Sequence, residues 1–140
     1  MKVVIDTNIW ISALISKEGS SREIIRLALK EHIFPQISTS LLIEYEAVMN
    51  RDKIQKLCSL SSIEQNELFH AYLSTCTWNE IFYLWRPNLK DKDDDFLVEL
   101  AVASNSSVII TDNKQDFVTN ELHFDFEVLT AKEFLERMRV

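Results

Sequence analysis

Four groups of acidic residues stand out in this sequence by where they fall. Asp6 ends the apolar run Val3-Val4-Ile5, and Glu44 sits in a helical pattern with Leu41, Ala47 and Val48 one turn away. Asp93, Asp94 and Asp95 precede a long apolar stretch, and the segment from Asp112 to Asp116 follows Val108-Ile109-Ile110-Thr111. Carboxylates brought close together repel one another and hold protons unless a cation balances them. Hard oxygen ligands with room for water suit Mg²⁺ or Mn²⁺. The chemistry that follows is metal-assisted hydrolysis of a phosphodiester, with water as nucleophile. Taken singly, each acid also has a plain structural explanation. Asp6 reads as a helix cap, Glu44 as a stem on the core with its head in water, and the aspartate run as a solvated helix start.

What decides between these readings is whether the fold brings the acids to one place. Val3-Val4-Ile5 and Val108-Ile109-Ile110 read as strands buried on both faces. Ile33 to Ile37 is a shorter strand, in which Pro35 marks a beginning or an edge position. Trp78 to Trp85, ended by Arg86-Pro87-Asn88, and Phe124 to Leu129 complete the set. Helical patterns alternate with these strands. Ser20 with Glu23, Ser61 with Glu64 and Thr130 with Glu133 spell capping boxes, and Ser38, Thr39 and Ser40 offer caps for a helix to about Asn50. The helix opened near Ser61 is expected to bury Leu68, Phe69, Ala71 and Tyr72, and the one after the aspartate run is apolar nearly all round.

Strands alternating with helices imply a parallel sheet covered on both faces. Along such a sheet the strand carboxyl ends and the helix starts that follow them share one edge, so Asp6, the aspartate run and the Asp112 cluster converge there. Successive helical residues point about 100° apart, so the three adjacent aspartates divide their roles. Asp93 suits the N-cap, Asp94 projects over Leu97, Val98 and Ala101, and Asp95 has Glu99 one turn on as an outer ligand. Lys17, Arg22, Lys90 and Lys92 are expected to flank the same edge and contact phosphates.

Composition narrows the class. At 140 residues the chain is a single domain over 1–140, and 46% hydrophobic residues exclude disorder. One glycine and two prolines argue against an all-β fold with its many turns. No apolar run approaches the ~18 residues of a membrane span. The N-terminus lacks signal-peptide architecture, and Cys58 and Cys76 are too few for a disulfide framework, so a cytoplasmic protein is expected. A net charge of −7, from 22 acidic and 15 basic residues, gives no field that would draw in nucleic acid. Bound metal would neutralise a site that the bare protein makes repulsive.

Rival readings fail on particular residues. Asp91, Asp93 and Asp95 imitate an EF-hand start, but Phe96 and Val102 stand where glycine and glutamate are needed. Gly19 alone makes no phosphate loop. His32, His70 and His123 share no spacing with the acids. An aspartyl-phosphate enzyme with Asp6 as nucleophile stays open.

Four motifs occur together: Val-Ile-Asp-Thr-Asn at Val4 to Asn8, Glu44 in the helix after the second strand, Asp-Asp-Phe-Leu-Val-Glu-Leu-Ala-Val-Ala at Asp94 to Ala103, and Ile-Ile-Thr-Asp-Asn-Lys-Gln-Asp-Phe at Ile109 to Phe117. In this order and spacing they resemble the PIN domains, and within that family the VapC-like toxin ribonucleases. The resemblance covers the whole chain. It implies a three-layer α/β/α sandwich around a parallel sheet of about five strands, ordered 3-2-1-4-5. It also implies a Mg²⁺- or Mn²⁺-dependent endoribonuclease, the toxin of a type II toxin–antitoxin pair, with RNA as substrate, an antitoxin protein as partner and a homodimer as assembly. Residue by residue, Asp6, Glu44 and Asp95 match the three catalytic, metal-binding acids, and Thr7 and Asn8 match supporting positions. Asp116 or Asn113 matches the fourth position, with Asp94 and Asp112 in reserve and Glu99 in support. A PIN-like module that binds nucleic acid or protein without cutting is the second reading.

Overall fold

Val3, Val4 and Ile5 are fully buried, as a β-branched run covered on both faces requires. They belong to β1 (Lys2–Ile5), the middle strand of the sheet. The computed structural model describes residues 1–81, 95–117 and 126–139, with Asp95 and Asp116 described by backbone alone. The order along the chain is β1, α1 (Thr7–Ile15), α2 (Ser20–Leu29), β2 (Phe34–Ile37), α3 (Thr39–Met49), α4 (Asp52–Leu57), α5 (Ser62–Thr75) and β3 (Thr77–Trp78). Then come α6 (Asp95–Ser104), β4 (Val108–Ile110), a 3-10 turn (Lys114–Phe117), β5 (Glu127–Leu129) and α7 (Ala131–Met138).

The sheet is parallel throughout and ordered β3-β2-β1-β4-β5, the expected 3-2-1-4-5. The chain moves outward from β1 first to one side and then to the other. Right-handed crossovers therefore put α1 to α5 on one face and α6 on the opposite face, which yields the α/β/α sandwich. α1 packs on α2 and α3, and α6 lies over β1, β2 and β4. Under α1 an aromatic cluster fills the first layer: Trp10 stacks on Tyr72 with centroids 5.2 Å apart, and Phe69 and Tyr45 close around it.

Local signals explain most helix starts. Ser38 Oγ accepts from the Leu41 amide, and Ser61 with Glu64 and Thr130 with Glu133 form complete capping boxes. The box expected at Ser20 does not form. Gly19 is the cap, Ser20 already lies in the helix, and Glu23 pairs instead with Arg26 at 3.0 Å. α2 and α6 both end on a residue with positive φ, Glu31 at 61° and Asn105 at 57°. In each case the amides of that residue and of the one after it return to carbonyls of the last turn, as from Glu31 to Ala28 and His32 to Leu27, and from Asn105 to Val102 and Ser106 to Ala101.

Other expectations need adjustment. β2 is flanked by β1 and β3, so Pro35 marks the beginning of a strand and not an edge. Its position opposite Val3 falls at the first turn of the ladder, where a missing amide costs least. Ala71 is exposed, because the buried stripe of α5 runs through Gln65, Phe69 and Tyr72. α6 is one-sided: Leu97, Val98, Leu100 and Ala101 are buried, while Val102 and Ala103 are exposed among the described residues. The strand expected over Trp78 to Trp85 is limited to Thr77–Trp78 among the described residues, and residues 82–94 lie outside them, with Arg86, Pro87, Lys90, Lys92, Asp93 and Asp94. The last strand begins at Glu127; Phe124 and His123 also lie outside the described residues.

Candidate active site at the carboxyl edge of the sheet

β1 and β4 run in register, Ile5 beside Ile110, so the residues that follow them, Asp6 and Thr111, meet at the same level. The Asp6 amide donates to the Ile110 carbonyl at 2.9 Å, carrying the ladder one step beyond the strand. Thr111 Oγ1 then donates to Asp6 Oδ2 at 2.5 Å and accepts from the Asn113 amide at 3.0 Å. Asp6 is 4% exposed and Thr111 fully buried. Asp6 occupies the N-cap position of α1, yet its side chain makes no cap bond to that helix. The carboxylate is committed across the sheet to β4 and not along its own helix, which removes the plain capping explanation.

Directly after Asp6, Thr7 Oγ1 and Asn8 Oδ1 are buried without a hydrogen-bond partner among the described residues. Buried polar atoms are almost always satisfied, so two orphans beside a buried carboxylate mark a place where ligand or solvent completes the structure. The donor set here is oxygen only and fits a hard divalent cation.

α6 delivers its amino end to the same edge. Lys2 Nζ donates to the Ser104 carbonyl at 3.2 Å, and the Ser107 amide to Lys2, so the carboxyl end of α6 is tied to the amino edge of β1. A 10-residue helix spans about 15 Å, which brings Asp95 back to the carboxyl edge. The side chains of Asp95 and Asp116 and the whole of Asp94 lie outside the described residues. Glu99, one turn along α6, is 5% exposed.

Glu44 is half-buried on α3, whose buried stripe is Leu41, Tyr45 and Met49. The expected neighbour Ala47 is exposed, so Glu44 flanks the apolar stripe and does not lie in it. Tyr45 supplies the connection to Asp6. Its hydroxyl donates to the Ile5 carbonyl at 2.5 Å and meets the Tyr72 hydroxyl at 3.0 Å. Burial holds the Tyr45 phenol well above its usual range, and electrostatic interaction with Cys76, Asp6 and Glu44 pushes it the same way, against the Tyr72 hydrogen bond. One hydroxyl thus senses both carboxylates and pins the strand end that carries Asp6 to the helix that carries Glu44.

Asn113 and Asp112 are exposed on the segment after Thr111, and Asn113 reaches the Asp6 group through its backbone amide. Lys114 anchors that segment by pairing with both Glu133 oxygens, at 3.0 and 3.1 Å. Among the described residues no three His, Cys, Asp or Glu side chains gather closely enough to hold an ion. Of the four basic residues expected at this edge, Lys90 and Lys92 lie outside the described residues, and Arg22 points elsewhere. Arg22 donates to the Ala13 carbonyl at 2.6 Å, in the last turn of α1 and away from Asp6. Sequence reasoning missed Thr111 and Tyr45. The signal for Thr111 was its place after Val-Ile-Ile, matching that of Asp6 after Val-Val-Ile. Tyr45 had no sequence signal beyond adjacency to Glu44.

A cleft of about 120 Å³ opens on the same edge, between the start of α3 (Ser38, Thr39, Ser40), Asn79 and Ile81 beyond β3, and Phe96 and Glu99 on α6.

The structure is thus a parallel α/β/α sandwich with a buried carboxylate and orphaned oxygens at the end of its central strand. The family follows from the sequence: the PIN domain model matches residues 2–115, and the chain belongs to the PIN-domain family. PIN domains are in general nucleases, hence hydrolases. The chain is 28% identical to the uncharacterized protein MJ1680 of Methanocaldococcus jannaschii, over 97% of this chain and 90% of that protein. In fold it is similar to a chain in the crystal structure of VapBC2 from Rickettsia felis bound to a DNA fragment from their promoter. That match has a TM-score of 0.61 at 18% identity and covers 93% of this chain and 98% of the other. No helix among the described residues is long and apolar enough to cross a membrane.

Proposed function

We propose that this protein is a divalent-metal-dependent endoribonuclease and the toxin of a type II toxin–antitoxin pair, working on RNA in the cytoplasm. The observation that carries the reading is the Asp6 carboxylate, buried and aimed by Thr111, with Thr7 Oγ1 and Asn8 Oδ1 left as open acceptors beside it. Asp6, Glu44 and Asp95 would hold Mg²⁺ or Mn²⁺, with Asp116 or Asn113 completing the set and Asp94 and Asp112 as the alternatives. Such an ion supplies charge neutralisation at the phosphate and a lowered pKa for water. The chain's own residues do the positioning. Thr111 holds one oxygen of Asp6, which fixes the orientation of the carboxylate. Tyr45 keeps α3 registered against the end of β1, and Lys114 holds the Asn113–Asp116 segment against α7. The likeness to VapBC2 supports an antitoxin partner; a homodimer is the assembly proposed with it.

The test is cleavage of an end-labelled RNA pool with Mg²⁺, with Mn²⁺ and with chelator. Metal-dependent cleavage by the parent, lost in Asp6→Asn and in Glu44→Gln but kept in Glu46→Gln, supports the reading. Equal cleavage by parent and Asp6→Asn, or none by a folded parent whose melting temperature ignores Mg²⁺, overturns it.

A further inference from the structure

The cleft between α3, β3 and α6 lies one helical turn from Asp95, and none of its residues is needed to hold a metal except, through water, Glu99. Its lining is chemically divided. Ile81 and Phe96 provide apolar surface, Ser38, Thr39 and Ser40 provide hydroxyl residues at one end, and Glu99 and Asn79 provide the carboxylate and amide groups. Asn79 is fixed in one orientation. Its Nδ2 donates to Gln36 Oε1 at 3.0 Å and to the Thr77 carbonyl at 3.1 Å. A backbone carbonyl only accepts, so the nitrogen side must face Thr77, and the function left over is the acceptor Oδ1. Gln36 is itself locked, since its Nε2 donates to the Phe34 carbonyl and its residue is 2% exposed. The Glu99 carboxylate contributes acceptor oxygens to the lining. The cleft therefore joins an aromatic face to two acceptors.

From this arrangement we infer that the cleft is a base-reading pocket. It receives the nucleobase next to the scissile phosphate and favours bases that carry an exocyclic amino group. The inference rests on the nuclease reading for which phosphate is meant, while the recognition itself does not depend on cutting. Guanine, adenine and cytosine present an amino donor to paired acceptors; uracil presents a single ring N–H between two carbonyls that would face Glu99 and Asn79 oxygens. Phe96 supplies the stacking surface on which a base loses its water, a contribution common to all four bases.

Binding of GMP, AMP, CMP, UMP and ribose 5-phosphate, measured by calorimetry on the full chain with Mg²⁺, tests this apart from catalysis. The expected result is at least fivefold tighter binding of the amino-bearing nucleotides than of UMP or ribose 5-phosphate. Phe96→Ala should lower every nucleotide to the level of ribose 5-phosphate. Ser40→Trp is the second variant: Ser40 is exposed, so the bulky side chain fills the cleft without disturbing the core, and it should have the same effect. Equal binding of all five compounds, no binding of any, or base selectivity unchanged in Ser40→Trp overturns the pocket. Base-selective binding by a protein that cuts no RNA would keep the pocket and remove the nuclease.

Discussion

Thr111 gives its hydroxyl proton to Asp6 across the seam between β4 and β1, over a separation of 105 residues and a distance of 2.5 Å. The same oxygen accepts the Asn113 amide, so one threonine joins the strand end, the buried acid and the segment that carries the remaining polar candidates. Thr111→Val keeps the shape and removes both bonds. Hydrogen bonds to charged groups contribute about 1.5–3 kcal/mol, and a loss of that size is expected in urea denaturation. Thr111→Ser should recover most of it. A valine variant as stable as the parent would show that the bond does not hold Asp6.

Tyr45→Phe separates a hydroxyl from a ring. The ring contacts to Trp10, Phe69 and Tyr72 remain, while the bonds to the Ile5 carbonyl and to Tyr72 go. A stability loss of about 0.5–1.5 kcal/mol is expected for the net hydrogen bond. Cleavage should fall further than that loss explains, because Glu44 and Asp6 lose their common tie. Unchanged cleavage at saturating Mg²⁺ would argue that α3 is held by packing alone.

Acid should loosen the segment after β4 early. The Glu133 carboxyl is held below its ordinary value of 4.5 by the Thr130 amide first and by Lys114 second. A lowered folded pKa means that the group stabilises the fold above the ordinary value and loses that contribution as pH falls through the lowered one. Glu127, kept low by its bond to Arg137, and Glu64, kept low by Ser61, have the same sign. All three are solvent-exposed, so salt should weaken the effect. An acid titration followed by near-UV circular dichroism should show the limb below about pH 4.5 flattened in Glu133→Gln. An identical limb in parent and variant would remove Glu133 from the account.

Cys76 should be chemically silent in the native protein. Burial pushes its thiol up to about 12, against hydrogen bonds to Tyr72 and Thr75 that pull it down. Only thiolate reacts with iodoacetamide, so at pH 8 alkylation of Cys76 should require denaturant. Mass mapping after a short native pulse checks this; labelled Cys76 in folded protein would contradict the burial.

Glu31 holds a φ of 61° at the end of α2, where glycine carries no side-chain penalty. Glu31→Gly is expected to stabilise by up to about 1 kcal/mol, the left-handed cost relieved less the added chain entropy. Thermal melts read it directly, and a lower melting temperature would mean that the glutamate side chain makes a compensating contact.

The parallel sheet was legible because the buried strands are written as β-branched triplets and because three of the helix starts are spelled out by side-chain caps, whereas its order came only from the resemblance to the PIN domains. The Ser20 box failed because the same letters served a helix that began one residue earlier on Gly19, where Glu23 found Arg26 within reach. Periodicity alone also misjudged Ala71 and Ala103, since alanine is small enough to sit on either side of a helix without a signal. At the site, acids could be placed by edge and register, but their aim could not. The bond from Thr111 and the phenol of Tyr45 depend on which residues of distant elements stand level, and no local pattern records that.

The position of β1 also bears on the order in which the protein is made. β1 leaves the ribosome well before β4, with Val3, Val4 and Ile5 committed to complete burial, and its partner β4 does not exist until Ile110 has been added. At about 5–20 residues per second, translation keeps those strands apart for roughly 5–20 s. Until then β1 has only β2 on one side, and Asp6 has no Thr111 to aim it. A chain that has not yet reached β4 therefore cannot hold Asp6 in the orientation seen in the folded protein.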